Sequence, residues 1–157
     1  MSGYLVGVAI DISGEQWRGE SADDIADYLE ELAPGGYPVH QVVNARCANC
    51  TGGTFVIELD EASTCARRTC TACGSIAYML DSEEYWPGDE ESEAEYIVEC
   101  ECGSDQFEAS AGFSFYADDA DLRWVSIGVR CTNDGSLGCC ADWKIGYGPS
   151  RHLLGKA

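Results

Sequence analysis

Two Cys-x-x-Cys motifs constrain the fold of this chain more than any other feature. Cys47 and Cys50 form the first motif, and Cys70 and Cys73 form the second, about one β-hairpin later. Each motif is a tight turn that points two sulfurs to one side. Two such turns can therefore surround a tetrahedral Zn²⁺ with four thiolates at about 2.3 Å. The spacing predicts a structural zinc site with these four cysteines as ligands.

The number of cysteines bears on the redox state. The chain has ten cysteines, and no basic and apolar leader precedes its longest apolar run, residues 4–10. That run is far shorter than the ~20 residues needed to span a bilayer. We therefore expect a cytoplasmic protein without membrane association, in which reduced thiols favour metal binding over disulfides.

The residues around the two motifs predict a small antiparallel sheet. Residues 41–45, 54–59 and 76–80 are short runs rich in apolar and β-branched residues, which is typical of strands. The order of motif, hairpin, motif and strand resembles the zinc-ribbon family over about 40 residues. The resemblance implies a β fold around a structural metal and no particular activity. Cys65 lies too far before Cys70 to form a motif, and we expect it to be a small buried apolar side chain.

A second, less regular module follows. Cys100 and Cys102 precede a predicted hairpin of residues 106–116 and 122–130, and Cys131 ends that hairpin. When residues 70–75 are aligned with residues 131–136, Asp134 takes the place of Cys73. The fourth ligand is either Asp134 or a later cysteine, Cys139 or Cys140. Zinc prefers thiolate in structural sites, and Cys139 shares strand parity with Trp143 and Ile145. The predicted ligands of a second zinc are therefore Cys100, Cys102, Cys131 and Cys139.

The residues before the first motif predict a strand and a helix. Residues 4–10 are a continuous apolar run expected in a central strand, and Ser21 is the expected N-cap of the helix. One helix face is apolar, with Ile25, Tyr28, Leu29 and Leu32 at helical spacing. The opposite face is acidic, with Asp23, Asp27, Glu30 and Glu31.

Together these elements predict an α+β, mostly β fold. It would consist of two zinc-ribbon-like antiparallel β modules with one N-terminal strand and helix. The expected divisions are residues 1–46 for the strand–helix–strand element, 47–86 for the first ribbon, 87–97 for an acidic linker or loop, 98–148 for the second module and 149–157 for a tail.

The charge restricts the class of partner. The chain has 28 acidic and nine basic residues, a formal net charge of −19, and ten of the acids fall in residues 81–101 without any base. Two four-cysteine zinc sites would lower the net charge further, to −23. A phosphate backbone would be repelled, so direct nucleic-acid binding is not expected, whereas a basic protein partner is. An acidic proteome in a high-salt organism would give the same composition.

Two aromatic residues stand at the start of the acidic stretch. Tyr85 and Trp86 are expected to pack on the first ribbon, and an exposed aromatic residue beside acids is also typical of an interface anchor.

The sequence offers little for catalysis. Four cysteines complete the coordination of a zinc ion and leave no position for water or substrate. His40 and His152 are the only histidines, and neither has a nucleophile at a suggestive spacing. We therefore expect a protein that is not an enzyme.

The remaining function class is binding. The leading hypothesis is a zinc-binding protein that engages a basic protein partner through its acidic surface, such as an immunity or inhibitor protein against a nuclease toxin. The alternative is a structural or adaptor subunit of a larger assembly, in which the acidity serves solubility.

Overall fold

The structure, a computed structural model, describes residues 17–60, 64–86, 95–117 and 121–157. Its helices are α1 (Asp24–Leu32) and α2 (Ser82–Tyr85), with short 3₁₀ turns at Pro34–Gly36 and Arg151–Gly155. Its strands are β1 (Gln41–Asn44), β2 (Phe55–Asp60), β3 (Cys65–Cys70), β4 (Ile76–Tyr78), β5 (Glu95–Ile97), β6 (Phe107–Phe115), β7 (Leu122–Cys131) and β8 (Leu137–Lys144). The mostly β class is confirmed. The strand predicted for residues 4–10 lies outside the described residues.

The eight strands of the described residues belong to one antiparallel sheet. The main order is β4-β3-β2-β6-β7-β8, while β1 pairs with β6 and β5 pairs with β2. The strands of the two predicted modules meet where Phe55 of β2 pairs with Phe107 of β6. The strand that leads into the first motif, β1, also pairs with β6, with Val43 opposite Ala111. The two cysteine-rich regions are thus joined through shared strand pairing.

The acidic stretch contributes to this sheet. Its last predicted linker residues form β5, in which Tyr96 pairs with Leu59 and Ile97 pairs with Glu58 of β2. Residues 87–94 lie outside the described part of the chain. The sequence-based boundary at residue 97 therefore falls at the end of a paired strand.

One hydrophobic core runs under both regions. Phe55, Phe107 and Ile127 are buried in it together with Cys70 and Cys131. Because a buried cysteine from each region lies in the same core, sheet packing fixes part of each cysteine cluster. Apolar burial of this kind stabilises by about 25 cal/mol per Å².

Helix α1 lies against β6, β7 and β8. Ile25 and Leu29 are fully buried there. Two glycines make room for them: a Cβ on Gly128 would lie 2.5 Å from Ile25 Cγ2, and a Cβ on Gly112 would lie 3.1 Å from Leu29 Cδ1. The predicted apolar face is therefore confirmed in its centre, while Leu32 at its end is 47% exposed.

The predicted N-cap at Ser21 is wrong. Helix α1 begins at Asp24, and its N-cap residue, Asp23, makes no side-chain capping hydrogen bond. The Asp24 carboxylate is buried and accepts hydrogen bonds from the backbone N–H groups of Glu20 (2.7 Å) and Ser21 (3.2 Å). A buried carboxylate requires donors, and the turn before the helix supplies them.

The last residues pack on the core. Leu153 is buried, and the backbone N–H of Leu80 donates to the carbonyl of Lys156 at 2.6 Å. The buried guanidinium of Arg68 donates two hydrogen bonds to the Ala157 oxygen, at 3.1 and 3.0 Å. Residues predicted as a tail are thus attached to β3.

Candidate metal centres

Four tight turns carry seven of the ten cysteines, and they share one backbone pattern. In each turn the N–H of the first cysteine donates to a carbonyl further along, and a later N–H donates back to the carbonyl of that cysteine. The first bonds are Cys47 to Gly52 (2.9 Å), Cys70 to Ser75 (2.9 Å), Cys100 to Ser104 (2.8 Å) and Cys131 to Ser136 (2.8 Å). The return bonds to these cysteines come from Thr51, Gly74, Gly103 and Gly135.

The residue that closes each turn has a left-handed backbone conformation. In three turns it is glycine, with φ of 80° at Gly74, 95° at Gly103 and 79° at Gly135. In the first turn it is Thr51, with φ of 62°. A β-branched residue rarely adopts positive φ because its Cβ crowds the backbone. The first turn is therefore the most strained of the four.

The first candidate site consists of Cys47, Cys50, Cys70 and Cys73. Their sulfurs all lie within 4.8 Å of one another. The Cys47–Cys73 and Cys50–Cys70 sulfur pairs are 3.6 and 3.5 Å apart. Four sulfurs at about 2.3 Å from a tetrahedral zinc would be about 3.8 Å apart. The four predicted cysteines are thus brought together at nearly the spacing that zinc requires.

Local hydrogen bonds favour thiolates at two cysteines of the first site. Hydrogen bonds with Asn49 and Ser75 lower the pKa of Cys73 to about 5. The backbone N–H groups of Cys50 and Asn49 lower the pKa of Cys47. At Cys50 the backbone N–H of Gly52 lowers the pKa, but hydrogen bonds with Cys70 and Cys73 raise it to about 12. The metal-free site therefore combines thiolates with protonated thiols. A bound cation would displace the protons of those thiols.

A buried arginine accompanies the first site. Arg68 is 8% exposed, and its guanidinium lies 4.6 Å from the centre of the Phe55 ring. Burial lowers the pKa of Arg68, while the negative charges of Cys47 and Cys70 raise it. A positive charge near two of the ligands partly offsets the −2 charge of a zinc tetrathiolate.

The second candidate site consists of Cys100, Cys102, Cys131 and Asp134. Their ligand atoms also lie within 4.8 Å of one another. The Cys102 and Cys131 sulfurs are 3.6 Å apart, and Cys100 Sγ lies 3.5 Å from Asp134 Oδ1. The backbone N–H of Ser136 donates to Asp134 Oδ1 at 2.9 Å and is the largest of the causes that lower the pKa of Asp134 to about 2. The carboxylate is therefore oriented and ionised.

The second and fourth turns, those of Cys70 and Cys131, are structural equivalents. Thr71 donates to the Thr54 carbonyl through its N–H (3.0 Å) and hydroxyl (3.2 Å). Thr132 donates to the Gln106 carbonyl in the same two ways, each at 3.1 Å. The alignment of residues 70–75 with residues 131–136 thus holds in the structure, and Asp134 occupies the place of Cys73.

Cys139 is not brought to the second site. It pairs with Gly128, three residues before Cys131 on β7, which is about 10 Å of strand. Its side chain packs with the residues under α1, while Trp143 lies in the main core. Burial raises the pKa of Cys139 to about 11, which keeps it a neutral thiol.

A β-bulge explains this misplacement. Gly128 pairs with Cys139 and Ile127 pairs with Ala141, so Cys140 is an extra residue on β8. In a regular strand Cys139 and Trp143 would share one face. An extra residue moves the following side chains to the other face. Cys140 is half-buried against the main core and is not brought to the site either.

A contact that the sequence did not predict supports the Asp134 turn. The backbone N–H of Gly19 donates to the Gly135 carbonyl at 2.9 Å, and Arg130 Nε donates to the Gly19 carbonyl at 2.8 Å. Next to it, the N–H of Leu137 donates to the carbonyl of Trp17 at 2.7 Å. Residues before α1 therefore hold the turn of the second site by hydrogen bonds. Isolated backbone pairing of this kind leaves no periodicity in the sequence.

Cys65, Tyr85 and Trp86 lie outside the two cysteine clusters. Cys65 is 2% exposed, as predicted, and belongs to neither cluster. Trp86 packs on the first region, 5.9 Å from the Tyr78 ring and 4.5 Å from the Arg67 guanidinium. Tyr85 is 50% exposed. Of the two aromatic residues, Trp86 thus packs on the first cysteine-rich region, whereas Tyr85 is half exposed.

The donor sets fit zinc. Sulfur and carboxylate oxygen are both zinc ligands, and each cluster supplies four donors, the number that structural zinc sites use. Two candidate metal sites are therefore present among the described residues. No described helix has the length and apolar character that crossing a membrane requires.

Comparisons of the chain with models of protein families, with curated proteins and with solved structures found no match. The likeness to zinc ribbons rests on the turns and the two clusters themselves.

Proposed function

We propose that this chain is a non-enzymatic protein that binds two zinc ions and engages a basic protein partner through an acidic surface. The metal part is supported by the two clusters, in which four donors lie within 4.8 Å of one another. A bound zinc would link β-hairpin turns from distant parts of the chain. Structural zinc sites contribute roughly 10 kcal/mol or more to small folds.

The partner class follows from the surface charge. The acidic face of α1 is exposed at Asp23, Asp27, Glu30 and Glu31. Within the described residues, Asp27, Glu30 and Glu31 form no ion pair. Exposed like charges that remain unpaired produce a negative potential that steers basic proteins. This unpaired acidic face is the observation that carries the proposal.

The basic residues do not relieve this surface because several are engaged within the fold. Arg67 pairs with Glu58 at 3.0 Å, and Arg130 pairs with Glu108 at 2.7 Å. Arg68 is buried. Metal binding increases the negative charge. Zinc lowers the net charge by two at a tetrathiolate site and by one at the Cys₃Asp site, where Asp134 is already counted, which takes −19 to −22.

An immunity or inhibitor protein is the specific form that we propose. Such a protein covers a basic active site, for example that of a nuclease toxin, by charge complementarity. Tyr85, exposed beside Glu83 and Glu84 on α2, supplies an apolar anchor for that surface. Residues Glu90, Glu91 and Glu93, which the sequence also places in this surface, lie outside the described residues.

The second candidate function is a structural or adaptor subunit. The observation that favours it is the single sheet, which displays Tyr96 and Ile97 on β5 at 43% and 49% exposure. In that case the acidity serves solubility, and association is insensitive to salt.

The experiment is a capture with the zinc-loaded protein from the organism that encodes it, followed by measurement of the association rate with the captured partner. Replacing Asp27, Glu30 and Glu31 by the amides should slow association, and added salt should slow it for the parent protein. The control removes a positive charge instead: Lys144 is exposed, and Lys144→Gln should not slow association. Equal rates for all these variants and salt concentrations would favour the adaptor.

A further inference from the structure

The two sites differ at one ligand. Asp134 provides an oxygen at the position where the equivalent turn of the first site has Cys73. Zinc in structural sites is most often bound by cysteine and histidine, and a carboxylate is the ligand that a competing thiolate replaces most readily. The second site therefore has one ligand that can be exchanged.

A cleft of about 200 Å³ adjoins Cys100, whose sulfur lies 3.5 Å from Asp134 Oδ1. Its described lining includes Cys100, Ser136, Cys139 and Cys140, and does not include Asp134, Cys102 or Cys131. Both Cys100 and Ser136 contact the Asp134 carboxylate, the first at 3.5 Å and the second through its backbone N–H at 2.9 Å, so the cleft borders two neighbours of that ligand. At ~30 Å³ per water molecule, its volume corresponds to roughly six waters, which is enough for a small organic molecule.

We propose that the second site binds a small, positively charged thiol, whose sulfur replaces the Asp134 carboxylate on the metal. This inference rests on the proposed second metal site. With a metal bound, the Asp134 carboxylate would leave the metal as a free anion, the thiol sulfur would bind as a thiolate in its place, and the thiol proton would go to solvent. The product has four sulfur ligands, as the first site does.

The residues that line the cleft indicate the charge of the ligand. Glu99 and Glu101 line it and are exposed, while Phe107, Val129 and Leu137 form apolar walls. In a protein with a net charge of −19, two carboxylates at the cleft favour a cationic group and repel an anionic one. The ligand class is therefore an aminothiol rather than an acidic thiol.

The test uses the whole chain loaded with Co²⁺ in a thiol-free buffer. The near-ultraviolet charge-transfer absorption of Co²⁺ grows with the number of bound thiolates. The two sites supply seven cysteine ligands, so an eighth sulfur should increase the absorption by about one seventh. The probes are cysteamine and 3-mercaptopropionate, which have similar size and opposite charge. Cysteamine should produce the increase at a lower concentration.

Three variants make the result specific. Asp134→Cys should show the eight-sulfur absorption without any probe and should not respond to cysteamine. Gly138→Leu should weaken the cysteamine response, because Gly138 lines the cleft and a Cβ there has its nearest neighbour, Val129 Cγ2, at 3.9 Å. The double change of Glu99 and Glu101 to glutamine should reduce the preference for cysteamine over 3-mercaptopropionate.

The outcomes separate this inference from the proposed function. Two bound Co²⁺ ions with no response of the parent protein to cysteamine would overturn the inference and leave the two metal sites intact. The same response in Asp134→Cys would also overturn it. Binding of only one Co²⁺ per chain would overturn both the inference and the two-metal proposal.

Discussion

The carboxylate of Asp134 lies 3.5 Å from the sulfur of Cys100, as a fourth metal ligand would. The equivalent position of the first site is Cys73, whose sulfur lies 3.6 Å from Cys47. The same backbone turn thus presents sulfur in one region and oxygen in the other. Since zinc thiolate bonds are favoured in structural sites, the two metals should differ in affinity.

The first prediction concerns metal content and release. Protein purified without added metal should contain two zinc ions per chain, and a chelator should remove them in two phases. Asp134→Ala should accelerate the faster phase of metal release. Asp134→Cys should slow that phase, so that its rate approaches the rate of the slower phase. Elemental analysis and a zinc-sensitive dye measure these results. A single phase in the parent protein would contradict the difference between the sites.

The second prediction concerns the strained first turn. Thr51→Gly should raise the free energy of unfolding by up to about 1 kcal/mol, because glycine adopts positive φ without a Cβ penalty. The melting temperature of the metal-loaded protein measures this change.

The matched control is the reverse change in the second turn. Gly74 has φ of 80° and no atom within 4 Å of its Cβ position, so the Cβ of Gly74→Thr enters open space and the change tests the strain of positive φ. It should destabilise by roughly 1–3 kcal/mol. A stabilising Gly74→Thr would show that the turns are not strained by side chains.

The third prediction concerns the contact of α1 with the sheet. Gly128→Ala should lower the free energy of unfolding by about 1–3 kcal/mol, because its Cβ would lie 2.5 Å from Ile25 Cγ2. Urea unfolding measures the change. Gly138→Ala on β8, with no neighbour nearer than 3.9 Å, should have little effect.

A double-mutant cycle tests whether Ile25 is the cause. Combined with Ile25→Ala, Gly128→Ala should cost less than it does alone, because the clashing methyl group is gone. Additive costs would show that the added Cβ clashes with another side chain, for example Leu29, whose Cδ1 lies 3.0 Å from the same Cβ position.

The fourth prediction concerns pH. Thiolates must lose their protons to bind metal, so zinc affinity at both sites should fall as the pH falls. The pKa of Asp134 is lowered to about 2, so this carboxylate is ionised above pH 4 with or without metal. A carboxyl group whose pKa is lowered by folding stabilises the folded protein at pH values above its ordinary pKa. For Asp134 that contribution is lost as the pH falls through about 2.

The variant that tests this assignment is Asp134→Asn. It should weaken metal binding at the second site without changing the slope of log affinity against pH between about pH 5.5 and 7.5, because the proton stoichiometry belongs to the cysteines. Competition with a metal indicator at several pH values measures the slope. A shallower slope in Asp134→Asn would mean that Asp134 carries a proton in the metal-free protein.

The sequence alone determined the turns. A Cys-x-x-Cys motif has few backbone solutions, so local spacing predicted the positions of Cys47, Cys50, Cys70 and Cys73 and the strands that flank them. Alignment of the second region with the first also identified Asp134 as a candidate. These features depend on residues that are close in the chain.

Only the tertiary structure decided between Asp134 and Cys139. Strand parity placed Cys139 with Trp143, but the bulge at Cys140 reversed the faces, and packing under α1 buried Cys139 away from the site. Likewise, the pairing of Phe55 with Phe107 and the position of α1 on β6, β7 and β8 depend on contacts between distant residues. A sequence pattern records the local periodicity of a strand, whereas the register and the face that is buried are set by what the strand packs against.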